Sequence, residues 1–245
     1  MTEQIYNKGI SHYVAKTYGW AIQEQLLLLP HYKKLIGNLK GKSVLDIGCG
    51  NGWLTYLLGK KAREVLGCDV SGEMINLARK EHLLPNMKYA VLDATKIESL
   101  GRKFDIITCS LMLHASRDKK ALVQTLRGAN SLLNKNGSMV ILVPHPCFST
   151  QNKRDYNTYT FSQDFNYFED DQEYRVKLVS QKGTNTFTNK FYNLEDYFDA
   201  FRKAGFVVNQ IIEPHVLDKY LSKYKNLWTS ELKIPFYLIF KITRR

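Results

Sequence analysis

The chain has little of what a disulfide framework, a metal site or a membrane span requires. Only four of its 245 residues are cysteines and no two form a Cys-x-x-Cys pair, which argues against a disulfide scaffold and a zinc ribbon. No apolar run reaches the roughly 18 residues of a membrane helix, because the longest, Met139–Pro144 and Ile234–Phe240, are strand-sized. The opening residues, MTEQIYNKGISHY, lack the basic segment and apolar block of a secretion signal, so the cytoplasm is the expected compartment.

The charge of the chain is unbalanced, with 35 Lys and Arg residues against 23 Asp and Glu residues and a net charge of +12. Such an excess suits nucleic acid or an anionic membrane surface. The cations are nevertheless spread along the chain, and the local clusters are short, such as Lys60, Lys61 and Arg63, or Arg244 and Arg245. We therefore expect a solvated basic surface instead of a binding stripe.

Glycine and proline are also scarce, at 15 and 6 residues, whereas 44% of the chain is hydrophobic, and this predicts one folded domain with a packed core. From residue 43 onward, short β-rich runs alternate with helical patterns, which predicts a parallel sheet with helices on both faces. The predicted elements are the strands Ser43–Ile47, Glu64–Cys68, Met87–Leu92, Phe104–Cys109 and Ser138–Val143, and the helices Trp53–Lys61, Ser71–His82 (N-cap Ser71) and Lys119–Leu133 (ended by the turn Asn136-Gly137).

The alternation is interrupted by a segment, residues 148–192, that carries eleven aromatic residues. Within it, Tyr174–Val179 and Thr186–Phe191 predict a hairpin. After it, Asn193 is placed to cap a helix over Leu194–Lys203 that ends at Gly205. The last two strands are predicted at Phe206–Ile212 and Ile234–Ile242.

The most informative stretch is Val44-Leu45-Asp46-Ile47-Gly48-Cys49-Gly50-Asn51-Gly52, a strand that leads into three glycines at alternate positions. Glycines let a tight turn form and let a ligand lie against bare backbone. A phosphate-binding loop would end in Gly-Lys-Ser or Gly-Lys-Thr, which this loop does not. A dinucleotide loop would place its third glycine where Trp53 stands, and this disfavours nicotinamide-dependent hydride transfer.

The motif DIGCGNG resembles the first motif of class I S-adenosylmethionine-dependent methyltransferases, and three further motifs follow in the order of that family: CDVS at 68–71, LDA at 92–94 and FDIITCSLMLH at 104–114. The resemblance implies an α/β, Rossmann-like, doubly wound sheet of seven strands, mostly parallel with an antiparallel last strand. It also implies one methyltransferase domain with an N-terminal helical lid (1–40), a cofactor-binding core (41–147), a substrate-binding insertion (148–192) and a C-terminal part of the sheet (193–245).

The same resemblance implies S-adenosylmethionine as cofactor, with Asp69 accepting hydrogen bonds from both ribose hydroxyls and Asp93 contacting adenine. Asp69 and Asp93 have simpler alternatives as helix caps or turn residues, and Asp46 either faces the methionyl ammonium or anchors the loop amides. The expected cofactor-binding residues are Asp46, Gly48, Cys49, Gly50, Asn51, Gly52, Asp69, Val70, Met74, Asp93, Ala94, Ser110 and Leu111, with Tyr13, Tyr18 and Trp20 folding over as a lid.

Two histidines, His145 and His114, follow strand ends at the sheet edge where open α/β sheets bind ligands. A histidine there can take a proton from an acceptor hydroxyl, so both are catalytic candidates, with His145 favoured, although a lone histidine is more often a structural group. The transfer needs no metal and no covalent nucleophile, so we expect Cys49, Cys68, Cys109 and Cys147 to be packing residues gathered near the same crevice.

The leading hypothesis is methyl transfer to oxygen or nitrogen of a small molecule, with aromatic residues of the insertion lining the acceptor pocket. RNA methylation is an alternative because of the +12 charge, but SLML at 110–113 lacks the Asn/Asp-Pro-Pro-aromatic tetrad of base-amine methylases. A non-catalytic protein that keeps the cofactor pocket is a further alternative. The acceptor and the oligomeric state stay open.

Overall fold

The computed structural model describes residues 22–147, 157–161, 164–180, 183–221, 223 and 235–245. Its helices are α1 (Ile22–Ile36), α2 (Trp53–Gly59), α3 (Gly72–Glu81), α4 (Lys119–Leu132), α5 (Leu194–Lys203) and α6 (Asp218–Leu221). Its strands are β1 (Ser43–Ile47), β2 (Glu64–Asp69), β3 (Met87–Val91), β4 (Phe104–Ser110), β5 (Leu133–Pro144), β6 (Asn157–Phe161), β7 (Glu173–Ser180), β8 (Gly183–Lys190), β9 (Phe206–Ile212) and β10 (Tyr237–Arg244). Two 3-10 segments cover Ala94–Leu100 and Leu113–Ala115.

Seven strands form one sheet in the order β3-β2-β1-β4-β5-β10-β9. The strands β1 to β5 pair in parallel, and β10 runs antiparallel to both β5 and β9. The expected sheet, mostly parallel with an antiparallel last strand, is therefore confirmed. The chain proceeds from β1 outward to β3 and then returns to β4 on the other side of β1, so the strand order reverses between β1 and β4. A crevice opens at such a reversal, beyond the carboxyl ends of the strands.

The core lies on both faces of this sheet. Along β1 every residue is buried, but Val44 belongs to the cluster packed against α1 and α2, whereas Leu45 and Ile47 belong to the cluster packed against α4 and α5. Successive side chains of a strand point to opposite faces, so a strand covered on both sides is apolar throughout. No helix among the described residues is long and apolar enough to cross a bilayer.

The aromatic insertion forms a second, antiparallel sheet in the order β6-β7-β8. The predicted hairpin is confirmed, since β7 pairs with β8, and β6 adds a strand that the sequence did not predict. One face of this small sheet is buried and carries Tyr174, Val176 and Asn189. The strand β8 packs against the 3-10 turn Leu113–Ala115, which follows β4. The insertion thus lies at the carboxyl edge of the main sheet.

Two local predictions differ from the structure. The Asn136-Gly137 turn is wrong, because α4 ends at Leu132 and β5 begins at once, with a shift of register against β4 where these residues pass. Asn and Gly are common both in turns and where a strand loses its regular register, so the sequence alone does not distinguish the two. The 3-10 segment Ala94–Leu100 was not predicted, because it is kinked at Lys96 and has no regular helical period.

The fold gathers cations that are scattered in sequence. The connections that enter the parallel strands all lie at one edge of the sheet. The residue that follows the antiparallel strand β10 lies at that same edge. Here the segments 37–42, 60–63, 82–86, 101–103, 204–205 and 245 occupy the amino edge, opposite the crevice. They contain no Asp or Glu, although Glu64, the first residue of β2, pairs with Arg63 and Arg102. They carry Lys40, Lys42, Lys60, Lys61, Arg63, Arg102, Lys103 and Arg245.

Candidate functional site

The glycine loop, residues 48–52, leaves β1 at the crevice with a positive φ at all three glycines: 69° at Gly48, 54° at Gly50 and 78° at Gly52. A Cβ on Gly48 would lie 2.5 Å from Cγ of Met112, and one on Gly52 would lie 2.5 Å from the hydroxyl oxygen of Tyr89. Both positions therefore require glycine because of conformation and packing. At Gly50 the nearest atom is Cε of Met74, at 3.3 Å, so the middle glycine has the most open surroundings.

Backbone hydrogen bonds fix this loop onto β2. The amides of Gly48 and Cys49 both donate to the carbonyl oxygen of Cys68, at 2.8 and 2.9 Å. The side-chain oxygen of Asn51 accepts from the amide of Trp53 at 3.3 Å, and its carbonyl oxygen lies 2.8 Å from Nδ1 of His82. The loop is thus held in one conformation by the protein itself.

Asp69 ends β2 beside the loop. Its Oδ2 accepts a hydrogen bond from the amide of Gly50 at 2.9 Å, and its Oδ1 accepts one from the amide of Ser71 at 2.9 Å. Burial raises the pKa of Asp69, and these backbone hydrogen bonds oppose the rise. Each oxygen of a carboxylate has two lone pairs, so one on each oxygen stays available for a ribose hydroxyl. Val70 is half-buried and Met74 is buried next to this carboxylate.

Asp46 lies within β1, below the loop, and is 1% exposed. Its two oxygens accept hydrogen bonds from the hydroxyls of Thr55, at 2.6 Å, and Thr108, at 2.7 Å. Burial raises the pKa of Asp46 to about 6, and the two hydroxyls oppose that rise. The amides of Gly48, Cys49, Gly50 and Gly52 donate to other acceptors, and the hydrogen bonds of Asp46 instead link β1 to α2 and β4.

Asp93 follows β3 and caps the 3-10 segment. Its Oδ1 accepts from both the amide and the hydroxyl of Thr95 at 2.8 Å, so the simpler alternative of a capping residue is realised. Oδ2 accepts no hydrogen bond from the described part of the chain. Ala94, the first residue of the segment, is half-buried.

The end of β4 is tied to both neighbouring layers. The hydroxyl of Ser110 donates to the hydroxyl oxygen of Tyr32 in α1 at 2.7 Å, and the amide of Leu111 donates to the carbonyl oxygen of Leu142 at 2.8 Å. Leu111 has a φ of 53°, a conformation that costs a non-glycine residue energy and concentrates at functional sites. This turn places Met112 under Gly48, so the following 3-10 turn lies beside the glycine loop.

The two candidate histidines differ in how their rings are satisfied. Nδ1 of His145 accepts from the amide of Cys147 at 3.2 Å, and Nε2 lies 2.9 Å from a carboxylate oxygen of Glu213. Nδ1 of His114, in contrast, is buried without a hydrogen-bond partner among the described residues. Burial lowers the pKa of His114 to about 4, so its ring is neutral at pH 7. The catalytic roles expected of His145 and His114 stay predictions, and the two rings differ in that only His114 has an unpartnered ring nitrogen among the described residues.

The cysteines separate into two environments. Cys49, Cys68 and Cys109 are buried, and burial, with a smaller effect of the nearby Asp46 charge, raises the pKa of each thiol. Protonated thiols are poor nucleophiles, which agrees with packing roles. Cys147 lies apart from them, with Sγ 3.5 Å from the hydroxyl oxygen of Tyr167 in the insertion. No group of three or more metal-ligating side chains occurs in the described ranges.

Several site residues were missed from sequence. Thr108 lies opposite Asp46 in the β1–β4 register, and Met112 and Tyr89 support the loop from separate elements. These contacts depend on which strands become neighbours, which no local pattern reveals. The expected lid residues Tyr13, Tyr18 and Trp20 lie outside the described residues.

Parts of this chain are similar to known proteins. Residues 44–137 match the family described as Methyltransferase domain. A Ubiquinone biosynthesis O-methyltransferase of Acinetobacter baylyi is 27% identical over 183 residues, covering 73% of this chain and 69% of that protein; another, of Coxiella burnetii, is 32% identical over 126 residues, covering 51% and 49%.

Solved structures share the fold. A putative S-adenosylmethionine dependent methyltransferase from Listeria monocytogenes superposes with a TM-score of 0.65 at 22% identity, covering 89% of this chain and 96% of that one. DhpI, in complex with SAH, superposes with a TM-score of 0.63 at 17% identity, covering 99% and 95%.

Proposed function

We propose that this chain, in which residues 44–137 match the family described as Methyltransferase domain, methylates a hydroxyl oxygen of a small-molecule acceptor with S-adenosylmethionine as the methyl donor. The observation that carries the proposal is the buried, unpartnered Nδ1 of His114, which lies on the turn next to the glycine loop. Oxygen is favoured over nitrogen because the relatives at 27% and 32% identity are named as O-methyltransferases.

The residues present fit the cofactor. The open surroundings of Gly50 leave bare backbone for a ligand, and the Asp69 carboxylate retains a free lone pair on each oxygen for the ribose diol. Asp93 and Ala94 would border the adenine ring, with Oδ2 of Asp93 available to it. When bound, S-adenosylmethionine supplies a methyl group already activated by its sulfonium.

The protein's chemical task is then alignment and proton removal. Holding two reactants in line lowers a barrier by roughly 7–11 kcal/mol. Bound S-adenosylmethionine would supply the methyl group to the acceptor's hydroxyl oxygen, and Nδ1 of His114 would take the hydroxyl proton, which converts the neutral ring to an imidazolium. A neutral ring of low pKa suffices, since a hydroxyl that is gaining a methyl group becomes strongly acidic.

The insertion contacts the chain segment around the His114 turn. The hydroxyl of Tyr192, just after β8, donates to the carbonyl oxygen of Ser116 at 2.6 Å, and Phe191 packs edge-on against Phe165 and Tyr167. The ammonium of Lys119, at the start of α4, pairs with Asp170 of the insertion. These contacts join the insertion to the segment that bears His114, and aromatic side chains at that position would exclude water from the reacting atoms.

The test uses labelled S-adenosylmethionine and a fractionated extract of the source cell, with the labelled product identified by mass spectrometry and NMR. We expect an O-methyl ether or ester. His114→Gln should lower kcat by about 100-fold or more and leave the affinity for S-adenosylhomocysteine unchanged, with His31→Gln, whose ring bonds the carbonyl oxygen of His215, as the matched control. A product methylated on nitrogen or carbon, or full turnover by His114→Gln, would contradict the proposal.

A further inference from the structure

Two side-chain atoms in the described part of the chain are buried without a hydrogen-bond partner: Nδ1 of His114 and Oδ1 of Asn189. They come from segments 75 positions apart in sequence, yet β8, which carries Asn189, packs against the turn that carries His114. The two unpartnered atoms therefore lie on elements that are in contact. A buried polar atom left unpaired destabilises the folded protein, because it has lost its hydrogen bonds to water.

Asn189 is an unusual residue for its position. It is 3% exposed, on the buried face of the insertion sheet where its neighbours Tyr174 and Val176 are apolar or aromatic. Its Nδ2 donates to the hydroxyl oxygen of Tyr174, the residue opposite it in the β7–β8 register, at 3.4 Å. In this orientation of the side chain, Oδ1 is the end of the amide without a partner.

We propose that Oδ1 of Asn189 and Nδ1 of His114 are two polar contacts of one acceptor subsite, so that the acceptor carries a second hydrogen-bond donor beside the hydroxyl that is methylated. The proposal rests on the proposed function and adds the substrate class to it. An amide oxygen only accepts hydrogen bonds, and a neutral ring with its proton on Nε2 accepts at Nδ1. Two acceptors require two donors, which a vicinal diol or a hydroxy-amine provides and a simple alcohol does not.

The location of Asn189 explains why the second donor of the acceptor would be bound by the insertion. The main sheet and its loops hold the cofactor, whereas β8 belongs to the separate three-stranded sheet. A site built to hydrogen-bond a substrate hydroxyl rejects the analogue that lacks it, because its own polar group is then left unpaired. Asn189 is therefore a specificity-determining residue, and His114 the group that receives the proton.

The experiment compares 4-butylcatechol with 4-butylphenol, which differ only in the second hydroxyl, by calorimetry on the protein saturated with S-adenosylhomocysteine. The wild type should bind the catechol about tenfold more tightly. Asn189→Leu, which keeps the shape, should abolish the preference and leave the melting temperature unchanged or higher, because it removes an unpaired polar atom. Thr188→Val, on the exposed face of the same strand, should change neither.

A second measurement does not depend on a variant. In the wild type with S-adenosylhomocysteine, the side-chain amide resonances of Asn189 should shift on adding 4-butylcatechol and stay in place with 4-butylphenol. The inference is overturned if these resonances do not move, if Asn189→Leu keeps the preference, or if the wild type binds neither compound or both alike. Failure to bind S-adenosylhomocysteine would instead refute the proposed function.

Discussion

Replacing Asp69 by Asn tests the cofactor site most directly. In the structure the two carboxylate oxygens each accept one backbone amide, from Gly50 and Ser71, both at 2.9 Å. Asparagine has the same shape but presents an NH2 group to one of these amides and to one ribose hydroxyl. One charge-assisted hydrogen bond to the ligand is lost, worth about 1.5–3 kcal/mol, which corresponds to binding weakened by about 10- to 160-fold.

The assay is isothermal calorimetry with S-adenosylhomocysteine at fixed pH, and the matched control is Asp105→Asn. Asp105 also accepts a backbone amide, from Ser43 at 2.8 Å, and a side-chain amide, from Asn134 at 2.9 Å. It lies at the amino edge of β4, far from the crevice. Asp105→Asn should lower stability without changing the affinity. An unchanged affinity in Asp69→Asn, or an equal loss in both variants, would refute the assignment of the ribose to Asp69.

Three further outcomes are expected. Gly48→Ala should lower the free energy of unfolding by about 1–3 kcal/mol more than Gly101→Ala, as measured in urea, because both glycines have a positive φ but only an added Cβ on Gly48 meets Met112, within 2.6 Å. Burial raises the pKa of Asp46 from 3.8 to about 6, so between these two pH values the folded state binds a proton that the unfolded state has lost. The free energy of unfolding should therefore fall by about 3 kcal/mol as pH rises from about 4 to 6. Asp46→Asn should remove this dependence on pH, and an unaltered dependence would contradict the reasoning. His145→Gln should lower the melting temperature but not kcat, and a selective loss of turnover would restore this histidine as the base.

The local parts of the fold were predictable from sequence. Strand β1 has the predicted bounds, and Ser71 caps α3 by accepting from the amide of Met74 at 3.3 Å. Asn193 forms a capping box with Asp196 at the start of α5. Caps and strand ends depend on residues a few positions apart, so they can be predicted from short stretches of sequence. The positive φ of the three loop glycines is local in the same way, because it follows from the residue type itself.

What the sequence did not predict depends on distant partners. His114 and His145 both follow strand ends, and nothing in their neighbourhoods tells that Glu213 and the Cys147 amide satisfy one ring while the other stays unpartnered. Asn189 likewise gave no signal, because an asparagine in a predicted hairpin is ordinary until the strand that carries it packs against the His114 turn. Pairing across the fold decides which polar groups are left for a ligand.

The distribution of charge also depends on the fold, and it bears on the RNA alternative, which was based on the net charge of +12. In a chain that alternates strand and helix, every second connection lies at the same edge, so cations far apart in sequence meet in space. The connections at the amino edge hold eight Lys and Arg residues and no Asp or Glu, whereas the strand-to-helix connections 48–52, 70–71, 92–93 and 111–118 hold Arg117 against Asp93 and Asp118. A polyanion drawn to the basic edge would lie across the sheet from the glycine loop and His114. The excess charge therefore gives no support to a polyanionic substrate at the candidate site, and the small-molecule acceptor stays the better-supported proposal.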